Sequence, residues 1–256
     1  QMTTSKRFHL GLVVGKFSPL HLGHEHLIEV ARQACNHVLV LGYSQPAFPG
    51  CDRARRHAWI SRRFPDVINI QVDDADIMRR CEERGIPHRA IPLNTELDLA
   101  QQSYLAWLLD GPIGQRPDAM FGSEHYIEPC ATLLSQHFGK EVTPICVDLL
   151  RTLHPISATR IRQDVHAARP WLSASTYVDF VPRVVLLGGE SSGKTTLAQA
   201  LAERHGTVWV PEYGRERWDL QQGQLSLDDL IDIGRVQILR EDEHHRQANR
   251  WLFCDT

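Results

Sequence analysis

A chain of 256 residues exceeds the usual size of one domain, so two domains with a sizeable core are expected. With 42% hydrophobic and 23% charged residues and a net charge of -3, the composition is that of a globular chain without the basic excess of nucleic-acid binders. No apolar run is long enough to cross a bilayer, no signal-peptide pattern opens the chain, and the six cysteines lack disulfide or zinc spacing, so a cytoplasmic chain with reduced thiols is expected. Gln1, standing before Met2, is left outside the fold.

Leu10 to Val14 is a short β-branched run, as a buried parallel strand should be. It leads into Gly15-Lys16-Phe17-Ser18-Pro19-Leu20-His21-Leu22-Gly23-His24, after which Leu27, Ile28, Ala31 and Ala34 recur at helical spacing. Lys16, His21 and His24 therefore fall between the carboxyl end of a strand and the amino end of a helix. Anions bind there in open α/β sheets, because unpaired helical N–H groups and the helix dipole favour negative charge. Gly23 is read as permitting a tight turn. The imidazoles can donate to phosphate oxygens without bringing a nucleophile, which suits direct transfer; a helix start with two solvated histidines is the plainer alternative.

His37 to Tyr43 is a second strand, followed by a breaker-rich loop over 44–50 that is expected to border the site. Asp52 is placed to cap a basic helix carrying Arg53, Arg55, Arg56, Arg62 and Arg63 around Trp59 and Ile60. That helix is read as a solvated face, with the reach of one arginine to a phosphate left open. Val67 to Val72 is a third strand, and Asp73, Asp74 and Asp76 are read as a helix cap in preference to a metal site. A helix over 97–109 should bury Leu97, Leu105, Leu108 and Leu109, with Trp107 in the core by default or as a lid or stacking residue. Asp118 to Gly122 is a strand that delivers Ser123, Glu124, His125 and Tyr126 to the same edge as the opening motif. A helix through Leu133 and Leu134 and a strand over Val142 to Val147 follow. This alternation predicts an α/β fold with a doubly wound parallel sheet.

The next motif is Ile156-Ser157-Ala158-Thr159-Arg160-Ile161-Arg162, in which Ser157 is a good N-cap and Thr159, Arg160 and Arg162 enter a new helix. Taken with the Gly-x-Phe-x-Pro-x-His-x-Gly-His pattern, it resembles the nucleotidyltransferase superfamily, particularly nicotinamide-nucleotide adenylyltransferases, over about the first two thirds of the chain. The resemblance implies a Rossmann-like fold in which His21, His24 and Arg162 hold ATP phosphates, assisted by Lys16 and Ser157. Gly15, Phe17, Gly23 and Thr159 complete that expected phosphate site.

Prolines at both ends of 169–182 mark a hinge between domains spanning 1–168 and 183–256. Arg183 to Leu187 reads as a strand, and Gly188-Gly189-Glu190-Ser191-Ser192-Gly193-Lys194-Thr195, continuing through Thr196 into a helix, matches the Walker A pattern in its required strand–helix context. Here glycines let backbone amides approach phosphates, Lys194 neutralises them, and the Thr195 hydroxyl ligates magnesium. A strand over Thr207 to Val210 exits into Glu212, which is a capping residue or a group that orients a ribose hydroxyl or acts as base. A helix from Leu227 to about Ala248 carries Glu241 to His245 as a solvated face. The last strand ends at Asp255, a position suited to a carboxylate reaching magnesium or substrate.

The order of these motifs, with Glu212-Tyr213-Gly214-Arg215-Glu216, resembles the NadR-type bifunctional enzymes, which pair nicotinamide-nucleotide adenylyltransferase with ribosylnicotinamide kinase. The resemblance implies ATP and Mg2+ as co-substrate and cofactor, nicotinamide mononucleotide, ribosylnicotinamide and NAD as small-molecule partners, and neither nucleic acid nor membrane; self-association stays open. Because the opening motif lies close to the start of the sequence, a helix-turn-helix repressor domain, as some relatives carry, is not expected here. The chain also ends before the further strands and arginine-bearing lid of a P-loop kinase, so nucleotide binding with weak or no phosphoryl transfer is expected of the second half. Another adenylyl- or cytidylyltransferase of the superfamily and a non-catalytic NAD/ATP sensor are the alternative readings.

Overall fold

The computed structural model describes residues 6–123, 126–148, 153 and 155–256. Glu124 and His125, expected near the site, lie outside the described residues. The chain divides into two compact units, Gln1–Gln163 and Asp164–Thr256.

The first unit runs β1 (Phe8–Gly15), α1 (Leu22–Ala34), β2 (Cys35–Gly42), α2 (Arg53–Arg63), β3 (Ile68–Gln71), α3 (Asp74–Arg84), α4 (Asp98–Leu108), β4 (Ala119–Gly122), α5 (Ile127–Phe138), β5 (Thr143–Cys146) and α6 (Ala158–Gln163). Its five strands form one parallel sheet in the order β3-β2-β1-β4-β5. The strand order reverses at β1, and the crevice at the carboxyl ends of β1 and β4 is where such sheets bind ligands. β1 can occupy the centre because Leu10, Leu12 and Val13 are all buried, so both of its faces are apolar.

Local chemistry explains the helix starts. Asp52 caps α2 by accepting from Arg55 N at 2.9 Å, and Asp73 caps α3 by accepting from Asp76 N at 2.9 Å. Asp74 accepts from Ile91 N at 2.8 Å, and Arg53 pairs with Asp73 and Asp76, so these carboxylates are engaged in structure.

Leu97 and Arg56 differ from the expectations, while Trp107 takes its default place against the core. Leu97 is 81% exposed at the N-cap of α4, and the helix buries Tyr104, Leu105, Ala106 and Leu108 instead; Leu109 is buried just beyond it. Trp107 packs on the core beside the Tyr104 ring and beneath Arg89. Arg56 is fully buried, donating to the carbonyls of Cys51 and Val72, and burial holds its pKa below the ordinary value.

The second unit contains α7 (Ala174–Tyr177), β6 (Arg183–Leu186), α8 (Lys194–His205), β7 (Trp209–Val210), α9 (Tyr213–Leu220), α10 (Leu227–His245) and β8 (Leu252–Asp255). Its three strands are parallel in the order β6-β8-β7, with Phe253 packed against Ala198 and Ala202 of α8. The segment expected to be a hinge is folded as short helical turns of this unit. Leu172, Tyr177 and Val181 are buried in it, and their apolar burial outweighs the flanking prolines as a determinant of local order. The Glu241 to His245 run also departs from a purely solvated face: Arg183 pairs with Glu241 and Asp242, and His245 Nε2 lies 2.6 Å from the Val181 carbonyl. Among the described residues, no helix is long and apolar enough to cross a membrane. All six cysteines are free thiols.

Candidate functional site

At the carboxyl edge of the first sheet lies a cleft of about 460 Å3, and Gly15, Lys16, Phe17, His21, Gly23, His24, Ser157, Thr159 and Arg162 all line it. The two sequence motifs, more than a hundred residues apart, therefore meet on one surface. Arg162 makes the join: its Nη1 donates to the Ser18 carbonyl at 2.7 Å and its Nη2 to Thr159 Oγ1 at 3.1 Å. Ser157 accepts from Arg160 N at 3.3 Å, as a residue capping α6 should.

His21 is the N-cap of α1 and accepts the Gly23 N–H on Nδ1 at 3.1 Å. Gly23 thus sits within the first turn of the helix, and its amide serves the cap. With Nδ1 accepting, a neutral His21 carries its proton on Nε2 and can donate there. The His24 ring stacks on His21 at 3.8 Å and meets the fully buried Phe17 ring edge-on at 5.1 Å. Phe17 adopts φ +45°, a left-handed conformation that bends the chain between β1 and α1. Lys16 Nζ reaches the Asn94 carbonyl at 3.5 Å.

Burial lowers the Arg162 pKa, and no carboxylate among the described residues contributes to it. Its charge is open to compensation by an anion. Cys130, also lining the cleft, has its thiol pushed up to about 12 by burial and stays protonated near neutrality. The cleft therefore brings Lys16, His21, His24 and Arg162 together with the carboxylates of Glu96, Asp98 and Asp148, and its Cys130 thiol is not activated.

Sequence reasoning placed the 44–50 loop at the border, and Phe48 of that loop does line the cleft. It missed Tyr43, Asn94, Asp98, Gln101 and Gln102, which also line it and carry no motif. None of the α2 arginines lines the cleft: besides buried Arg56 and paired Arg53, Arg55 donates to Gly50, Arg62 to Ala58 and Arg63 to Glu25.

In the second unit, Gly188 to Gly193 forms a loop between β6 and α8. Gly193 stands at φ +86°, where a side chain would be strained, and a Cβ on Gly188 would lie 2.9 Å from Ser192 Oγ. Ser192 Oγ donates to the Gly189 carbonyl at 2.7 Å, and Lys194 Nζ donates to the carbonyls of Gly188 and Gly189 at 3.0 Å each. Glu190 and Ser191 are exposed on the loop, Ser191 at φ +58°, and Thr196 is exposed in the first turn of α8. Thr195 Oγ1 donates to Asp255 Oδ2 at 2.5 Å. Asp255 is 1% exposed, and its Oδ1 is buried without a hydrogen-bond partner. Glu212 occupies the N-cap position of α9 beyond β7 but makes no side-chain capping bond.

The AAA_28 family model, described as an AAA domain, matches residues 183–256. Two curated relatives, the trifunctional NAD biosynthesis/regulator proteins NadR of Escherichia coli K12 and Salmonella typhimurium LT2, are each 30% identical over 96% of this chain. The chain is a NadR homologue. It spans 60% of the length of each of those NadR relatives. Crystal structures of NadR proteins, one in complex with NR and one with NAD and AMP-PNP, match with TM-scores of 0.62 and 0.60. The matches cover 99% and 98% of this chain and 68% and 71% of those chains, and at 21% and 20% identity they establish the shared NadR fold.

Proposed function

We propose that this NadR homologue transfers the adenylyl group of ATP to nicotinamide mononucleotide in its first unit and uses its second unit for ATP-dependent 5'-phosphorylation of ribosylnicotinamide. The observation that carries the reading is the convergence of Lys16, His21, His24 and Arg162 on one cleft at the sheet's carboxyl edge. The names of the NadR relatives, and the NR, NAD and AMP-PNP bound to NadR proteins of the same fold, point to the same chemistry.

In the first unit, a phosphate oxygen of the mononucleotide attacks the α-phosphorus of ATP while the bond from that phosphorus to the β-bridging oxygen breaks. NAD forms and pyrophosphate leaves. Lys16, His24, Arg162 and the Nε2–H of His21 stabilise the charge that builds on the leaving group, the two imidazoles being stacked on each other. No covalent intermediate is needed; the cleft works by positioning and electrostatics. Tyr43 and Tyr126 supply aromatic surface within it.

In the second unit, the backbone of the Gly188 to Gly193 loop and Lys194 take the ATP phosphates. Magnesium, when bound, neutralises phosphate charge. The hydroxyl of Thr195 and the carboxylate of Asp255 are hard oxygen donors suited to hold it, and the unpartnered buried Oδ1 of Asp255 fits that role. The 5'-hydroxyl of ribosylnicotinamide attacks the γ-phosphorus and ADP leaves. Glu212 is the residue assigned to orient the ribose or accept the proton.

The test supplies the purified chain with magnesium ATP and either nicotinamide mononucleotide or ribosylnicotinamide, and follows all nucleotides by mass spectrometry. NAD from the mononucleotide is expected, and its absence overturns the first assignment. Mononucleotide or NAD formed from ribosylnicotinamide supports the second assignment; neither product restricts that unit to nucleotide binding.

A further inference from the structure

The guanidinium carbon of Arg162 lies 3.8 Å from the centroid of the Phe48 ring. That distance is van der Waals contact between a cation and a π face. The two residues come from elements with no sequence relation: Arg162 from α6, a helix of six residues, and Phe48 from the loop between β2 and α2.

This loop is anchored on both sides of the ring. Cys51 N donates to the Phe48 carbonyl at 2.9 Å. On the other side, Asn94 N donates to the Gln45 carbonyl at 2.7 Å and Asn94 Nδ2 to the Pro46 carbonyl at 2.8 Å. Arg162 lacks any carboxylate partner among the described residues; the Ser18 carbonyl, the Thr159 hydroxyl and the Phe48 face hold this long side chain on its short helix, and Cys51 lies close enough to act on its charge. The two hydrogen bonds fix the edge of the guanidinium, and the ring fixes its plane. A planar fork binds phosphate well only when its plane is already set.

We infer that Phe48 is a positioning residue for Arg162, setting the guanidinium plane that meets the ATP phosphates; the inference rests on the adenylyl transfer proposed above. The ring touches no reacting atom and acts through Arg162.

The test is a double-mutant cycle in 256-residue chains that also carry Lys194→Ala, which silences the P-loop so that only the first site is read. Phe48→Leu keeps apolar bulk and removes the π face; Phe48→Tyr restores it. Phe48→Leu is expected to lower kcat/KM for ATP about tenfold, a typical worth for a partly desolvated cation–π contact. KM for the mononucleotide should move less than about twofold, and Phe48→Tyr should recover most of the loss. In an Arg162→Ala background, Phe48→Leu should cost less than about twofold more. An equal loss in both backgrounds would make the ring a plain wall of the cleft, and no loss in either would dismiss it; both outcomes overturn the inference. If the parent chain shows no adenylyl transfer, the functional reading fails by itself, and the same cycle read as ATP affinity by calorimetry still decides whether Phe48 acts through Arg162.

Discussion

The Thr195 hydroxyl donates to the Asp255 carboxylate at 2.5 Å, linking the first turn of α8 to the last residue of β8 across 60 residues of chain. The parallel pairing of β6 with β8 brings this about, since Leu186, just before the loop, is in register with Asp255. A buried carboxylate with one oxygen unpartnered is costly to the empty fold. Such a cost is expected where the group serves a ligand.

Asp255→Asn keeps a hydrogen-bond acceptor for Thr195 and removes the charge. Nucleotide binding to the second unit should lose its magnesium enhancement, by at least about tenfold, while ligand-free thermal stability rises. Calorimetry with and without magnesium, in an Arg162→Ala background that weakens the first site, measures the former. Retention of the full magnesium effect would remove Asp255 from the metal site.

His21 has two separable duties, capping α1 through Nδ1 and donating through Nε2. His21→Ala should cost about 1 kcal/mol of stability together with adenylyl transfer, whereas His21→Asn retains a capping oxygen and should lose only the transfer. Urea denaturation and initial rates, run on the same preparations, separate the two. Equal destabilisation by both variants would show that the cap contributes nothing.

His24→Ala and Arg162→Ala should each reduce adenylyl transfer by at least about 100-fold, the scale of losing a preorganised donor to developing charge. Steady-state rates with saturating ATP and mononucleotide provide the check. Near-normal turnover in either variant would sink the role assigned to the cleft.

Features set by local chemistry were legible in the sequence. Leu10 to Val14 reads as a buried strand, Asp52 and Asp73 announced their helices, and the glycine spacing around Lys194 matches the pattern that lets a backbone approach phosphate. Long-range choices were not legible. Whether Leu97 or Tyr104 faces the core of α4 depends on what packs against the helix, and helical periodicity accommodates either. Arg56 reads as surface in any local window, and only the Cys51 and Val72 carbonyls make its burial tolerable. In the candidate site, the two motifs stood out by their residue types and spacing, and the structure brings them onto one cleft. Asn94 and Gln101 line the same cleft from the loop before α4 and from α4 itself, where nothing restricts their types locally.

A final prediction concerns pH. His166 Nδ1 lies 2.8 Å from the Tyr177 hydroxyl. Burial, with the charge of Arg250, holds the His166 pKa below its ordinary value, and Asp164 opposes the shift. In the unfolded chain this imidazole takes its proton near pH 6.5. Between that pH and the lower folded value the unfolded state binds more protons, so stability is full above about pH 6.5 and declines as pH falls through the window. The decline attributable to one such group is at most about 1.4 kcal/mol per pH unit, the limit for a single proton. His166→Gln keeps a polar partner for Tyr177 without titrating, and it should flatten the dependence of the urea midpoint on pH below about 6.5. The His166 imidazole resonance, followed by NMR, should titrate below 6.5 in the folded chain. A resonance titrating at or above that value would reverse the sign and remove His166 from the acid response.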